Sequence, residues 1–168
     1  MGWIAYAVLA YGLVTWILPV PLTLVHELGH ALPLLAFSRG RLIVRVGRQP
    51  ARPVSIARLE LRVRWLNSPR WGWFGFVAGE GEEPEPPRAR RVAILASGPL
   101  VSAIVLVALV AAAAVVPWPA SLLIWVPALA VAWQLFVTAL PMRYPPWFGP
   151  YAGRVSDGYR ILRLLRSG

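Results

Sequence analysis

Residues 92–142 form a run of 51 consecutive positions without a charged side chain. Residues 1–25 are also free of charge, although the whole chain carries a net charge of +10. Only 14% of residues are charged, against about 25% in an ordinary soluble domain. Because a membrane-spanning helix needs about 20 mostly apolar residues, the sequence predicts an α-helical integral membrane protein.

The charge-free segments predict three membrane crossings. The 51-residue run is long enough for two helices, 92–116 and 120–140, which a Pro-Trp-Pro sequence separates. The N-terminal segment 3–37 is predicted to form the first crossing, with a bend at Pro19 and Pro21. A hairpin of two short helices is the alternative for that segment.

The arginines indicate the orientation. All 17 basic residues are Arg, and they lie in the segments 39–91 and 141–168. Positive residues collect on the cytoplasmic side, so we expect both segments there, in a bacterial inner membrane. The charge is then explained by topology and by contact with the lipid bilayer, and no nucleic-acid partner is expected. The sequence leaves the oligomeric state open, and the absence of Cys excludes a disulfide scaffold.

Between the first two spans the sequence predicts a small membrane-associated β-layer. Apolar residues alternate with charged ones from Arg58 to Trp65, the period of a half-exposed strand. Two further strand candidates are 41–46 and 71–77, and an acidic, Pro-rich loop, 79–87, follows. The layer is expected to pack over the helix ends. The alternative is an open strand edge in the 58–65 layer that pairs with an extended peptide.

The two histidines of the chain are four residues apart, in the sequence His26-Glu27-Leu28-Gly29-His30. On a helix both imidazoles lie on one face and can reach the same ion. A catalytic zinc site has three protein ligands and one open position for water. The glutamate beside the first histidine can then act as general base, and the glycine lets another helix or a substrate backbone approach closely.

A zinc site of this kind needs a third protein ligand, and no other His or Cys exists. Asp157, which follows the third span across a Pro-rich stretch, is a plausible carboxylate ligand. Glu60 on the predicted strand is another candidate. The remaining carboxylates lie in the acidic loop: Glu80, Glu82, Glu83 and Glu85.

Three motifs occur in a characteristic order. They are the H-E-x-G-H sequence at the inner end of the first span, the A-S-G-P-L-V-S sequence of residues 96–102, and Leu-Pro followed later by Ser-Asp-Gly at 156–158. This set resembles the site-2 protease family of intramembrane zinc metalloproteases, and most closely its short bacterial members. The resemblance implies a three-helix catalytic core, zinc bound by His26, His30 and Asp157, and Glu27 as the catalytic base.

The resemblance also implies contacts to substrate. Gly98 and Ser102 match the family's G-x-x-x-[NSG] pattern, and Thr138 stands where the family usually has Asn. A longer insert, 142–155, separates the proline from the Asp-Gly pair. The implied activity is hydrolysis of peptide bonds in membrane-embedded protein substrates near the cytoplasmic face. A catalytically silent adaptor or peptide-binding regulator on the same fold is the alternative, and an ion-conducting subunit is a third possibility.

Overall fold

The computed structural model describes residues 2–48, 51–65, 69–80 and 85–167, and it combines helices with one small sheet. The helices are α1 Gly2–Gly12, α2 Pro19–Phe37, α3 Pro69–Gly72, α4 Arg88–Val115, α5 Leu122–Ala139 and α6 Asp157–Arg166. A π-helical turn, Leu13–Ile17, precedes α2, and a 3-10 helix, Pro146–Tyr151, precedes α6. The strands are β1 Arg41–Val46, β2 Pro53–Ile56, β3 Leu59–Val63 and β4 Gly75–Glu80.

Three helices in the described ranges, α2, α4 and α5, are long and apolar enough to cross a membrane. This confirms the predicted mostly helical architecture, with three such helices and a sheet between the first two. The backbone is helical at both Gly12 and Leu18, on either side of the π-helical turn, so the N-terminal segment follows one helical path without a hairpin. Pro19, the first residue of α2, has no N–H to donate. The N–H of Leu18, the residue before it, donates to the carbonyl oxygen of Leu13, five residues back, at 2.9 Å.

The sheet is mixed, with strand order β2-β3-β1-β4. β1 runs parallel to β3 and antiparallel to β4, while β2 and β3 form an antiparallel hairpin. β1 has the bounds that the sequence predicts. The predicted strand 71–77 is wrong at its start, because Trp71 and Gly72 belong to α3, and β4 extends into the predicted loop as far as Glu80.

Residues 58–65 do not supply the open strand edge that the alternative prediction expects there, while binding of a peptide by the layer stays a prediction. β3, the strand within that layer, hydrogen-bonds to β1 on one side and to β2 on the other, so its backbone groups are already paired. The two edges of the sheet are β2 and β4. Of these, β4 lies against α2, the helix that carries both histidines.

The sheet packs along the side of α2. The prediction that it packs over the helix ends is therefore wrong. Val20 and Ala31 of α2 form a buried cluster with Val44 and Val46 of β1. The apolar side chains of β3 pack against this cluster, and so do Leu24, Leu28 and Val77. Burial of these facing side chains holds the sheet beside α2, and β4 consequently lies next to the histidine motif.

Candidate metal centre

The side chains of His26, His30 and Asp157 converge in a triangle. The Nε2 atoms of His26 and His30 are 3.3 Å apart, and each lies 3.3 Å from the Oδ2 atom of Asp157. The two imidazoles come from successive turns of α2, and the carboxylate is the first residue of α6. The exposed fractions of His26 and His30 are only 4% and 8%.

This triangle has the dimensions of a metal site. Donor atoms bound at about 2.0–2.2 Å to a tetrahedral zinc ion stand about 3.3–3.6 Å apart. All three edges of the triangle are 3.3 Å, so one ion can contact the three atoms without rearrangement. Within the described parts of the chain, these three residues form the one group of His and carboxylate side chains close enough to hold a metal ion.

Two glycines allow the helices to approach closely enough to build the triangle. A Cβ atom on Gly29 would lie 2.9 Å from the Cα of Gly98, so α2 and α4 touch backbone to backbone there. A Cβ on Gly98 would lie 2.2 Å from Nε2 of His30. The second glycine therefore provides the space that the His30 ring occupies.

The far sides of both imidazole rings are hydrogen-bonded to α4. Nδ1 of His26 lies 3.0 Å from the hydroxyl of Ser102, and Nδ1 of His30 lies 2.7 Å from the carbonyl oxygen of Ile94. Such outer partners fix the ring orientation and leave both Nε2 atoms directed at the centre of the triangle. Gly98 and Ser102 thus lie behind the histidines, and their predicted contact with substrate stays a prediction.

The two ends of the insert 142–155 meet, so the length of the insert does not keep Asp157 away from the histidines. The Tyr144 N–H donates to the Arg154 carbonyl at 2.8 Å, and the Ser156 N–H donates to the Met142 carbonyl at 3.0 Å. The segment is therefore a hairpin whose two ends meet. The aspartate that follows it starts beside the end of α5.

The start of α6 is fixed by contacts to the end of α5. The Ser156 hydroxyl donates to the Leu140 carbonyl at 2.6 Å and accepts from the Tyr159 N–H at 3.1 Å, which caps α6. A Cβ on Gly158 would lie 1.8 Å from the Ala139 carbonyl oxygen, so only glycine fits. Burial by itself raises the pKa of Asp157, but its contacts with the two imidazoles outweigh this and hold the pKa below its ordinary value. The carboxylate is therefore ionised at neutral pH.

Glu27 lies between two cavities. It is 6% exposed and follows His26 by one residue, so it points about 100° around α2 from the histidine face. One cavity, of about 340 Å³, is polar and contains the ligand triangle together with Arg154 and Arg160. The other, of about 310 Å³, is apolar and is lined by aromatic side chains that include Trp73, Trp133, Trp147 and Phe148.

Thr138 also borders both cavities. Its hydroxyl donates to the carbonyl oxygens of Gln134 at 2.9 Å and Leu135 at 3.3 Å, within its own helix. The Thr138 hydroxyl is therefore bonded to backbone and is not directed at the triangle.

Two residues at this site, Gly75 and Tyr151, were not predicted from the sequence. A Cβ on Gly75 would lie 2.7 Å from Cγ of Glu27, and both backbone groups of this glycine bond to the hydroxyl of Tyr151. A glycine at a strand position is a known sign of close backbone approach, and that signal was present in the sequence. The tyrosine has no local sequence signal, because its partner is 76 residues away.

The alternative zinc ligands are not part of the triangle. Glu60, Glu80 and Glu85 are not grouped with the histidines, while Glu82 and Glu83 lie outside the described residues. In comparisons with known protein families and with curated proteins, nothing matches this sequence significantly.

Proposed function

We propose that this protein is a zinc-dependent intramembrane endopeptidase that hydrolyses peptide bonds of membrane-embedded proteins. The observation that carries the proposal is the equilateral triangle of His26, His30 and Asp157 donor atoms, with Glu27 bordering the same cavity. The site-2 protease-like order of the sequence motifs supports the same conclusion.

The donor set fits zinc. Two imidazole nitrogens and one carboxylate oxygen are the ligands of open catalytic zinc sites, which keep a fourth position for water or substrate. The polar cavity extends from the triangle and leaves room for that position. When bound at such a site, zinc supplies Lewis-acid activation of water and of the scissile carbonyl.

Glu27 is suited to move the proton. We propose that its carboxylate accepts a proton from the attacking water and passes that proton to the amine that leaves when the C–N bond breaks. Glu27 borders the polar cavity, where water enters, and the apolar cavity, where an apolar substrate side chain fits. Its position on the same helix as both histidines fixes its distance from the reacting centre.

The depth of the site is compatible with a membrane substrate. Arg91 ends the arginine cluster at the start of α4, which the positive-inside rule places at the cytoplasmic surface. Ile94, the partner of His30, is about 5 Å further along α4, and Ser102, the partner of His26, is about 16 Å further. The site then lies between the inner surface and about the middle of a bilayer core of about 30 Å.

Water needs a route to that depth. Arg154 and Arg160 are exposed and also line the polar cavity, so the cavity opens to the surface at these arginines. Non-helical backbone at membrane depth is tolerated where it lines such a cavity. We propose that water enters from the cytoplasmic side past the α6 segment.

The substrate is held as an added strand. Amide groups within a helix are shielded by their own hydrogen bonds, so a substrate helix has to unwind before hydrolysis. β4 is an edge strand beside Glu27 and offers backbone donors and acceptors to an extended peptide. The strand edge that binds peptide is thus β4, in place of the 58–65 layer.

The test compares the purified protein with its Glu27→Gln variant. Both should hold one zinc ion per chain, while cleavage of an apolar membrane peptide should fall at least a hundredfold in the variant. Zinc retention is the internal control, because it shows that the site is intact. If both proteins hold zinc and neither cleaves any membrane peptide, the catalytically silent adaptor replaces this proposal.

A further inference from the structure

We propose that the hydroxyl of Tyr151 occupies the strand-pairing position at Gly75, and that a peptide entering the site displaces it. This inference rests on the proposed function, since it concerns how the peptide reaches Glu27. Tyr151 then acts as a positioning residue that keeps the edge strand closed until substrate is present.

The hydrogen bonds at Gly75 are those of a missing strand partner. The Tyr151 hydroxyl accepts from the Gly75 N–H at 2.9 Å and donates to the Gly75 carbonyl oxygen at 3.0 Å. In an antiparallel sheet, one residue of the neighbouring strand makes this pair of bonds to a single residue. A side-chain hydroxyl therefore substitutes for a backbone N–H and C=O.

The alternation along β4 shows that this position faces away from the sheet. The Gly47 N–H donates to the Phe74 carbonyl at 2.8 Å, so Phe74 faces β1. Backbone groups alternate in direction along a strand, and Gly75, Val77 and Gly79 therefore present theirs outward. Among the described residues, Tyr151 is the one group bonded to this outward edge.

The occupied position is the one nearest the proposed catalytic base. A Cβ on Gly75 would lie 2.8 Å from Oε1 of Glu27, so no side chain separates the strand from the carboxylate. A peptide paired with Val77 and Gly79 alone would stop short of Glu27. Pairing at Gly75 brings its backbone to the carboxylate, and this requires the tyrosine to leave.

The surroundings of Tyr151 allow both states. Burial raises the pKa of its hydroxyl well above the ordinary value, so the proton donated to Gly75 is retained. Its ring packs against Phe74, at 5.1 Å between ring centroids, and against Tyr144, at 5.2 Å. The next three residues, 152–154, are exposed, so the chain that follows the tyrosine is not packed in the interior.

The substitution Tyr151→Phe tests the proposal, because it removes the hydroxyl and keeps the packed ring. Binding is measured in the Glu27→Gln background, so that no peptide is consumed. The probe is a fluorescein-labelled leucine–alanine peptide of about 20 residues with a central Gly-Gly pair, in detergent micelles. Two displaced hydrogen bonds predict that the Kd of the double variant falls about tenfold.

Tyr144→Phe in the same background is the matched control. It removes a hydroxyl from the adjacent ring, but this hydroxyl donates to the Val137 carbonyl and not to β4. Its Kd should not fall. An unchanged or raised Kd for Tyr151→Phe overturns the proposal, and so does an equal fall in the Tyr144→Phe control.

A cross-linking measurement shows where the peptide binds. The chain has no cysteine, so Ala78→Cys on β4 introduces a single one. A disulfide to a cysteine-containing version of the peptide should form more readily in the Tyr151→Phe protein. Tighter binding without this cross-link overturns the proposal.

Cleavage assays of the protein with Glu27 intact separate the two proposals. If the protein with Glu27 intact cleaves the peptide but Tyr151→Phe does not tighten peptide binding, only the displacement of Tyr151 is refuted. Tighter, cross-linked binding without any cleavage refutes proteolysis and supports the displacement. Absence of binding in every variant overturns both.

Discussion

The hydroxyl of Ser102 on α4 lies 3.0 Å from Nδ1 of His26 on α2. This contact joins two helices at the level of the metal centre, and both groups are buried. It sets the orientation of the imidazole ring, whose other nitrogen faces His30 and Asp157. The hydroxyl would therefore act on a bound ion only through the histidine.

Replacing Ser102 by Ala should weaken zinc binding about 10- to 100-fold, the usual effect of losing an outer hydrogen-bond partner. Competition with a chromogenic chelator measures this affinity. Ser121→Ala is the control. Ser121 is buried at the start of α5, and the other end of that helix contacts α6, so the substitution should leave zinc affinity unchanged. Equal affinities for the Ser102 variant and the wild type would show that the contact does not orient His26.

Gly158→Ala should prevent α6 from docking on α5. The added methyl group would overlap the Ala139 carbonyl oxygen, at 1.8 Å, and relief of this clash has to move Asp157. We expect loss of bound zinc and a lower thermal unfolding temperature. Gly12→Ala is the matched control, since its Cβ would meet no atom within 4 Å and alanine favours a helix. A zinc-loaded Gly158→Ala protein would contradict the described position of α6.

Thr138→Val should leave the kcat/KM for peptide cleavage within about twofold of wild type. The reason is that the Thr138 hydroxyl bonds to carbonyl oxygens of its own helix, and valine keeps its shape. Steady-state kinetics on a fluorogenic membrane peptide measures the ratio. A loss of tenfold or more would mean that the hydroxyl turns toward substrate, as the sequence resemblance predicts.

Removal of the proposed metal should destabilise the protein, because an ion bound by Asp157 and the histidine pair would join α6 to α2. A ligand that binds only the folded state raises stability in proportion to the logarithm of its concentration over its Kd. Chelator should therefore lower the unfolding temperature of the wild type. His26→Ala protein should already unfold at the lower temperature, and a further drop on chelation would place the metal elsewhere.

The sequence predicts those parts of the fold and of the site that local patterns of residues determine. Apolar length predicts three helices that can span a membrane, and the i, i+4 spacing predicts that His26 and His30 share a face. Strand β1 is apolar enough to be recognised with its observed bounds. The glycine of the histidine motif was expected to admit another helix, and Gly29 does contact the backbone of α4.

The parts that depend on long-range pairing could not be predicted. Strand β2 is short and exposed, and its turn contains Ala57 at a φ of 52°, where a glycine would have signalled a hairpin. The assignment of β4 as an edge strand depends on the order of strands, which alternation does not reveal. The path of the 142–155 hairpin depends on its own backbone bonds, and only these show that Asp157 reaches the histidines.

The central claim is that His26, His30 and Asp157 bind one zinc ion together. Zinc analysis combined with X-ray absorption at the zinc edge tests it most directly on the purified protein. We expect one zinc per chain, with two imidazole nitrogens and at least one oxygen at about 2.0–2.2 Å, and loss of the ion in His26→Ala and Asp157→Asn. A wild-type protein without zinc, or variants that keep the same zinc spectrum, would contradict it.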